Sequence, residues 1–210
     1  MHTTQVRHPA GTPAGGRFAP EPHAEPGILL EFPGEEVSST PGFDVHGTIE
    51  WKNSAGWLHC PHGPAVVAAD GYQAWWVDGQ LHRTDGPAVE HPNGTREWYQ
   101  DGQLHRTDGP AIEHADGYRA WYVEGELHRT DGPAVEDPDG TRMWYVEGEL
   151  HRLDGPAVEE PDGQREWWAD GRRHREDGPA VEHPNGTREW YVKGHQLTEE
   201  EFRSRFSTAG

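Results

Sequence analysis

Between residues 47 and 196 the apolar positions form neither a helical stripe nor one long strand alternation. They come in short bursts separated by glycine-rich punctuation. In one stretch, Thr95-Arg96-Glu97-Trp98-Tyr99 is rich in strand formers and Asp101-Gly102 turns the chain. Leu104-His105-Arg106 carries the chain back. Asp108-Gly109-Pro110 then interrupts pairing, because proline has no amide proton to give a ladder. Ala111-Ile112-Glu113 extends again as far as Asp116-Gly117. Such dipeptides, like Asn93-Gly94 and Asp139-Gly140, favour tight turns, since Asn and Asp tolerate left-handed backbone and Gly adopts it freely. No 3.6-residue apolar period occurs, so no helix is expected here. The pattern predicts units of two short strands and their turns.

The units repeat every 23 residues. Gly-Pro-Ala recurs at Gly63, Gly86, Gly109, Gly132, Gly155 and Gly178, with a histidine four residues earlier at His59, His82, His105, His128, His151 and His174. Two further glycine series keep the same register, through Gly94 and through Gly102. An aromatic pair completes each unit: Trp75-Trp76, Trp98-Tyr99, Trp121-Tyr122, Trp144-Tyr145, Trp167-Trp168 and Trp190-Tyr191. The first unit is atypical. Trp51 is one residue out of register, and Cys60 and His62 replace the Arg and Asp of later copies (Arg83, Asp85). Terminal repeats commonly differ, having a neighbour on one side only.

Composition changes the picture in two ways. Hydrophobic residues are 32% of the 210, yet the chain carries 10 Trp, 6 Tyr and 5 Phe with 27 Gly. That combination predicts a thin structure without a deep core, not a disordered chain. One unit has too little to bury to stand alone, so the copies are expected to stack, each aromatic pair covered by its neighbour. Net charge is −19. Direct contact with nucleic acid or an anionic membrane is therefore not expected, and acidity also keeps a repeat array from associating.

The ends differ from the middle. Residues 1–45 hold seven prolines and no repeat and are expected to form a flexible arm, with Ile28-Leu29-Leu30-Glu31-Phe32 docking on the open edge of the first unit. The array is assigned to residues 46–197 and a capping helix and tail to 198–210. Thr198 and Glu201 form a capping box, and Leu197, Phe202 and Phe206 an apolar stripe. The fold class expected is all-β: stacked hairpins in a single twisted antiparallel sheet or an open solenoid, closed by a short helix. Cys60 is the lone cysteine, no apolar run reaches the ~20 residues of a membrane span, and no secretion signal is visible, so a cytoplasmic location is expected.

Trp-Tyr-x-Asp/Glu-Gly-x-Leu-His, followed by a Gly element, a short strand and Asp-Gly, resembles MORN-type hairpin repeats over roughly residues 47–196. The resemblance implies a hairpin array acting as a scaffold in protein contacts. The chain departs from that pattern where Arg83, Arg106 and Arg129 follow the histidine in place of glycine, and in its Asp-Gly-Pro-Ala element. The Trp-Tyr-x-x-Gly-x-Leu run also looks like the aromatic repeats of cell-wall-binding proteins. The opener His8–Phe18 is similar to N-terminal tags of actinobacterial and phage proteins, which implies a mobile-element origin.

Candidate chemistry is sparse. Two strands per unit would put equivalent histidines about 9–10 Å apart, too far to share a metal, whereas a solenoid with one rung per unit would put them ~4.8 Å apart and open a metal or pH-sensing ladder. His82, His105, His128, His151 and His174, with Gly86, Gly109, Gly132, Gly155 and Gly178, are read as structural, each histidine bonding the Asp-Gly turn of its own unit. Arg96, Arg119, Arg142, Arg165 and Arg188 stand near Glu90, Glu113, Glu136, Glu159 and Glu182 and are expected to form cross-strand ion pairs. Strand alternation sends the two rings of each pair to opposite faces. The second ring, Trp76, Tyr99, Tyr122, Tyr145, Trp168 or Tyr191, either joins the core or lines a binding strip. Cys60 beside His59 and His62 makes a poor dyad, as adjacent strand residues point apart. The expected function is a non-catalytic repeat scaffold with a protein partner, no cofactor and no metal, and with homo-oligomerisation through end or edge strands left open. An acidic nucleic-acid mimic and a carbohydrate-binding repeat are the alternatives.

Overall fold

The computed structural model describes residues 40–43 and 47–206. Fifteen strands form one antiparallel sheet that follows chain order and does not close, and the helix Glu199–Phe206 ends it. Each complete repeat gives this sheet two strands of two residues, for example Val89–Glu90 and Arg96–Glu97. It then forms a small side hairpin, Tyr99–Gln100 with Gln103–Leu104.

A repeat thus has four strands where the sequence pattern suggested two. The expected run Thr95–Tyr99 breaks at Trp98. There the N–H donates to the Ala111 carbonyl of the next repeat at 2.8 Å, while the Trp98 carbonyl accepts from His105 N at 3.0 Å. The residue hands the chain from the broad sheet to the side hairpin. In the last repeat no further copy offers a carbonyl, and the run stays whole as Arg188–Val192.

The turns have the expected chemistry. At the side-hairpin tip Asp101 and Gly102 both have positive φ, 49° and 78°, as a two-residue type I′ turn requires. At the other edge Gly94 N donates to the His91 carbonyl and His91 N to the Thr95 carbonyl, closing a three-residue loop. The Asn93 side chain accepts from Thr95 N at 2.9 Å, fixing the loop from within.

The core is a ribbon. The alanine of each Gly-Pro-Ala is fully buried (Ala65, Ala88, Ala111, Ala134, Ala157 and Ala180), and Val89, Val135, Val158 and Val181 line up beside them. So small a core needs another source of packing, and arginine supplies it. The Arg106 guanidinium lies 4.0 Å from the Trp98 ring centroid. Its Nε donates to Asp108 at 2.9 Å, and its Nη1 to the Pro110 carbonyl at 3.1 Å and Glu113 at 2.9 Å. On its other side is Gly109, where a Cβ would stand 2.9 Å from Cζ. The same cradle holds Arg83, Arg129, Arg152 and Arg175 against Trp75, Trp121, Trp144 and Trp167. The Arg-x-Asp-Gly-Pro-x-x-Glu pattern is therefore the lining of one site: a carboxylate for Nε, room above the glycine, a carbonyl and a second carboxylate for Nη1. It also corrects the expected stacking, since Trp75, Trp98, Trp121, Trp144 and Trp167 are each covered by a guanidinium and not by another ring.

Both ends are covered. Strand Thr40–Phe43 pairs with Ile49–Lys52 along the first edge. Ile28–Phe32, expected in that place, lies outside the described residues. At the other end Thr198 N donates to Glu201 Oε2 and Glu201 N to Thr198 Oγ1, the expected capping box. Phe202 is buried, with its ring 4.9 Å from that of Phe206. In the first unit Cys60 stands where later copies have the cradle arginine, and it is buried, its N–H donating to the Trp76 carbonyl.

Gly109→Ala is expected to push the guanidinium off Trp98 and to cost about 1–3 kcal/mol, as overpacking does. In an Arg106→Ala background the same substitution should cost far less, because the clashing atom is gone. Denaturant melts of the four proteins in this cycle measure the coupling, and additive losses would refute the cradle.

Candidate protein-binding face

Strand alternation sorts the side chains onto two faces. On one, Glu90, Glu113, Glu136, Glu159 and Glu182 alternate across the strands with Arg96, Arg119, Arg142, Arg165 and Arg188. The five cradle arginines, which reach these glutamates, lie on this side with the tryptophans they cover. The register pairs these residues as the sequence suggested, but ion pairing differs. The glutamates accept from the cradle arginines, as Glu136 does from Arg129 at 3.3 Å. Among the described residues only Arg119 of the strand arginines makes an ion pair with this row, to Glu136 at 3.8 Å. The cradle arginine has its guanidinium fixed on Trp and reaches the carboxylate first. Clefts separate successive loops on this side, such as one of about 550 Å³ beside Trp121 and His128, and their arginines are already engaged.

The opposite face carries the second rings. Trp76, Tyr99, Tyr122 and Tyr145 lie directly across the side hairpins from Leu81, Leu104, Leu127 and Leu150, and Trp168 lies across from Arg173. Tyr191 continues the row. All six rings are half-buried. They are thus neither closed core nor free of support, and they recur every two strand spacings, about 9–10 Å. Two residues before each ring, on the same face, the residue varies: Ala74, Glu97, Ala120, Met143, Glu166 and Glu189. Where it is Glu it holds the ring. Tyr99 Oη donates to Glu97 at 2.8 Å, Tyr191 Oη to Glu189 at 2.9 Å and Trp168 Nε1 to Glu166 at 2.9 Å. Where it is Ala74, the Trp76 Nε1–H is buried without an acceptor. Burial pushes the phenols of Tyr122 and Tyr145 above their ordinary value. Burial, then the bond to Glu97, does the same for Tyr99. These rings therefore stay neutral and able to donate. A second aromatic layer borders the row, with Tyr72 edge-on to His91 at 5.3 Å and His114 beside Tyr118 at 4.9 Å.

Arg173 shows what the row accepts. It replaces the leucine of other copies, and its guanidinium lies 5.3 Å from the Trp168 ring and 5.5 Å from the Tyr191 ring. Its Nε and Nη2 donate to Glu166.

The repeated histidines are structural, but not in the expected way. Each Nδ1 accepts from a backbone N–H at the side-hairpin tip of the next repeat: His82 from Asp101, His105 from Glu124, His128 from Glu147, His151 from Asp170 and His174 from Lys193, at 3.0–3.3 Å. Own-unit bonding fails because the tip amide of the own hairpin points away along the ladder, while the next tip docks on it. Gly125 N donates to the Leu104 carbonyl and completes the clasp. Imidazoles so used are joints between repeats. Gly86, Gly109, Gly132, Gly155 and Gly178 serve the arginine cradle. The cradle role of Arg83, Arg106, Arg129, Arg152 and Arg175 escaped sequence reading, although the fixed Arg-x-Asp-Gly spacing carried the signal.

Among the described residues no group of three or more His, Cys, Asp or Glu side chains could hold a metal ion, and no helix is long and apolar enough to cross a membrane. No protein-family model matches the chain, and no curated protein matches it.

Two outcomes follow. His128→Ala removes the acceptor of Glu147 N–H and should cost about 1 kcal/mol, with faster hydrogen exchange at that amide; unchanged exchange would count against the joint. The bond from the cradle arginine holds the carboxyls of Asp85, Asp108, Asp131 and Asp154 below their ordinary 3.8. A depressed carboxyl adds stability above its unfolded value and loses it as pH falls through the folded one. The thermal midpoint should therefore decline below about pH 4, and Asp→Asn at these positions should flatten the decline.

Proposed function

We propose that this chain is a non-catalytic repeat scaffold that binds a protein partner along the face carrying Trp76, Tyr99, Tyr122, Tyr145, Trp168 and Tyr191. The observation that carries the reading is the row itself: six partly exposed rings on one face at constant spacing, four of them directly across from a leucine. Aromatic side chains with a polar tip are the residues that interfaces favour, since they bring area at low entropic cost. The repeated arginines and histidines are consumed in holding the array together, which leaves this row as the regular aromatic feature engaged in neither a cradle nor a joint between repeats. The MORN-type resemblance supports the same scaffold reading. Alternating Glu and Arg on the other face counts against a nucleic-acid mimic, which would need unbroken negative charge.

A triple variant, Tyr99→Ala, Tyr122→Ala and Tyr145→Ala, is expected to keep the β-type circular dichroism of the array and to lose capture of a discrete protein from lysate of the source cells. Equal capture by the wild type and the variant would overturn the reading.

A further inference from the structure

Resting on that reading, we infer that the partner segment is a polyproline II stretch with an arginine at every third residue. Three observations converge on it. The first is the occupied slot. Arg173 puts a guanidinium between Trp168 and Tyr191 with Glu166 as its counter-ion, so the row already holds one arginine of the chain's own. The equivalent place between Tyr99 and Tyr122 carries Leu104 in place of the arginine; its Glu97 accepts from Tyr99 and lies 3.2 Å from His91 Nε2, just as Glu166 accepts from Trp168 and Gln164 while also holding Arg173, so Glu97 can take a guanidinium from outside in the same way. Glu97 and Glu189 are partly exposed, and the chain as a whole carries −19.

The second is spacing. The rings recur at about 9–10 Å, two strand spacings. A polyproline II helix completes its three-residue turn in about 9.3 Å. Side chains three apart on such a segment lie on one side and can meet successive repeats. A fully extended strand cannot do this, because its side chains three apart point to opposite faces.

The third is the middle of the row. Beside Tyr122 and Tyr145 the glutamate position is taken by Ala120 and Met143, so the central slots are apolar. Proline rings pack on such surfaces, and aromatic-lined faces suit a helix whose conformational entropy is already low.

The test uses the full chain and labelled 18-residue peptides of equal charge: Arg-Pro-Pro repeated, Lys-Pro-Pro repeated, and a scrambled peptide with the arginines clustered. Fluorescence anisotropy is read at two salt concentrations. The regular arginine peptide should bind roughly tenfold more tightly than either control, because guanidinium stacks on rings better than ammonium does. Leu104→Arg, which puts an arginine of the chain's own in the slot between Tyr99 and Tyr122, should weaken it several-fold, and Arg173→Leu, which removes the one already there beside Trp168, should strengthen it. Tyr122→Leu with Tyr145→Leu leaves net charge untouched and should also weaken it. Equal binding of all three peptides, or binding indifferent to the charge-neutral Tyr122→Leu and Tyr145→Leu substitutions, would overturn the inference in favour of charge alone. Ring-dependent capture of a protein without ring-dependent peptide binding would overturn it too, and would leave the protein-binding reading standing.

Discussion

In every full repeat a guanidinium plane sits between a tryptophan ring and a glycine Cα, with its N–H groups spent on two carboxylates and a carbonyl. A sheet whose strands are two residues long has little apolar area to bury, and its fully buried ribbon is alanine and valine. The arginine covers the first ring of the pair and adds the packing that the narrow ribbon lacks. It can do so because delocalised charge is weakly hydrated and stacks on aromatic faces. The carboxylates make the arrangement tolerable, since a half-buried charge without partners would cost more than the stacking returns.

Holding the array this way sorts the molecule into two chemically different faces. The cradles, the Glu–Arg alternation and the covered tryptophans use up one side. The histidines clasp hairpin tips across each joint. The second rings stand in a row on the other side, part-buried against their hairpin partners. A binding surface on such a frame inherits the period of the strands. Its chemistry is set by the few positions that vary, above all the residue two before each ring.

Those variable positions give the periodic frame its local character. Glu97, Glu166 and Glu189 bring carboxylate acceptors to the rings beside them, Met143 offers only its sulfur, 3.9 Å from Tyr145 Oη, and Ala74 and Ala120 offer nothing. Arg173 in a leucine column turns one slot from apolar to occupied. The ends follow the same logic. Cys60 replaces a cradle arginine in the first unit, and a strand at one end with a helix at the other covers the open ladders.

The 23-residue period, the turns, the opposite faces of the aromatic pair and the C-terminal capping box were all legible in the sequence, because each is set by neighbours a few residues apart. Asp101-Gly102 turns wherever it stands, and Thr198 meets Glu201 by helix geometry alone. Other features depended on where the next copy lies. The break at Trp98, the histidine that reaches forward 19 residues to the next tip, and the glutamates claimed by cradle arginines all involve groups brought together by docking of repeats. Local pattern names the donors and acceptors. Only the stacked sheet decides which of them meet, because in a near-identical array every group has several equivalent partners in sequence and one within reach in space.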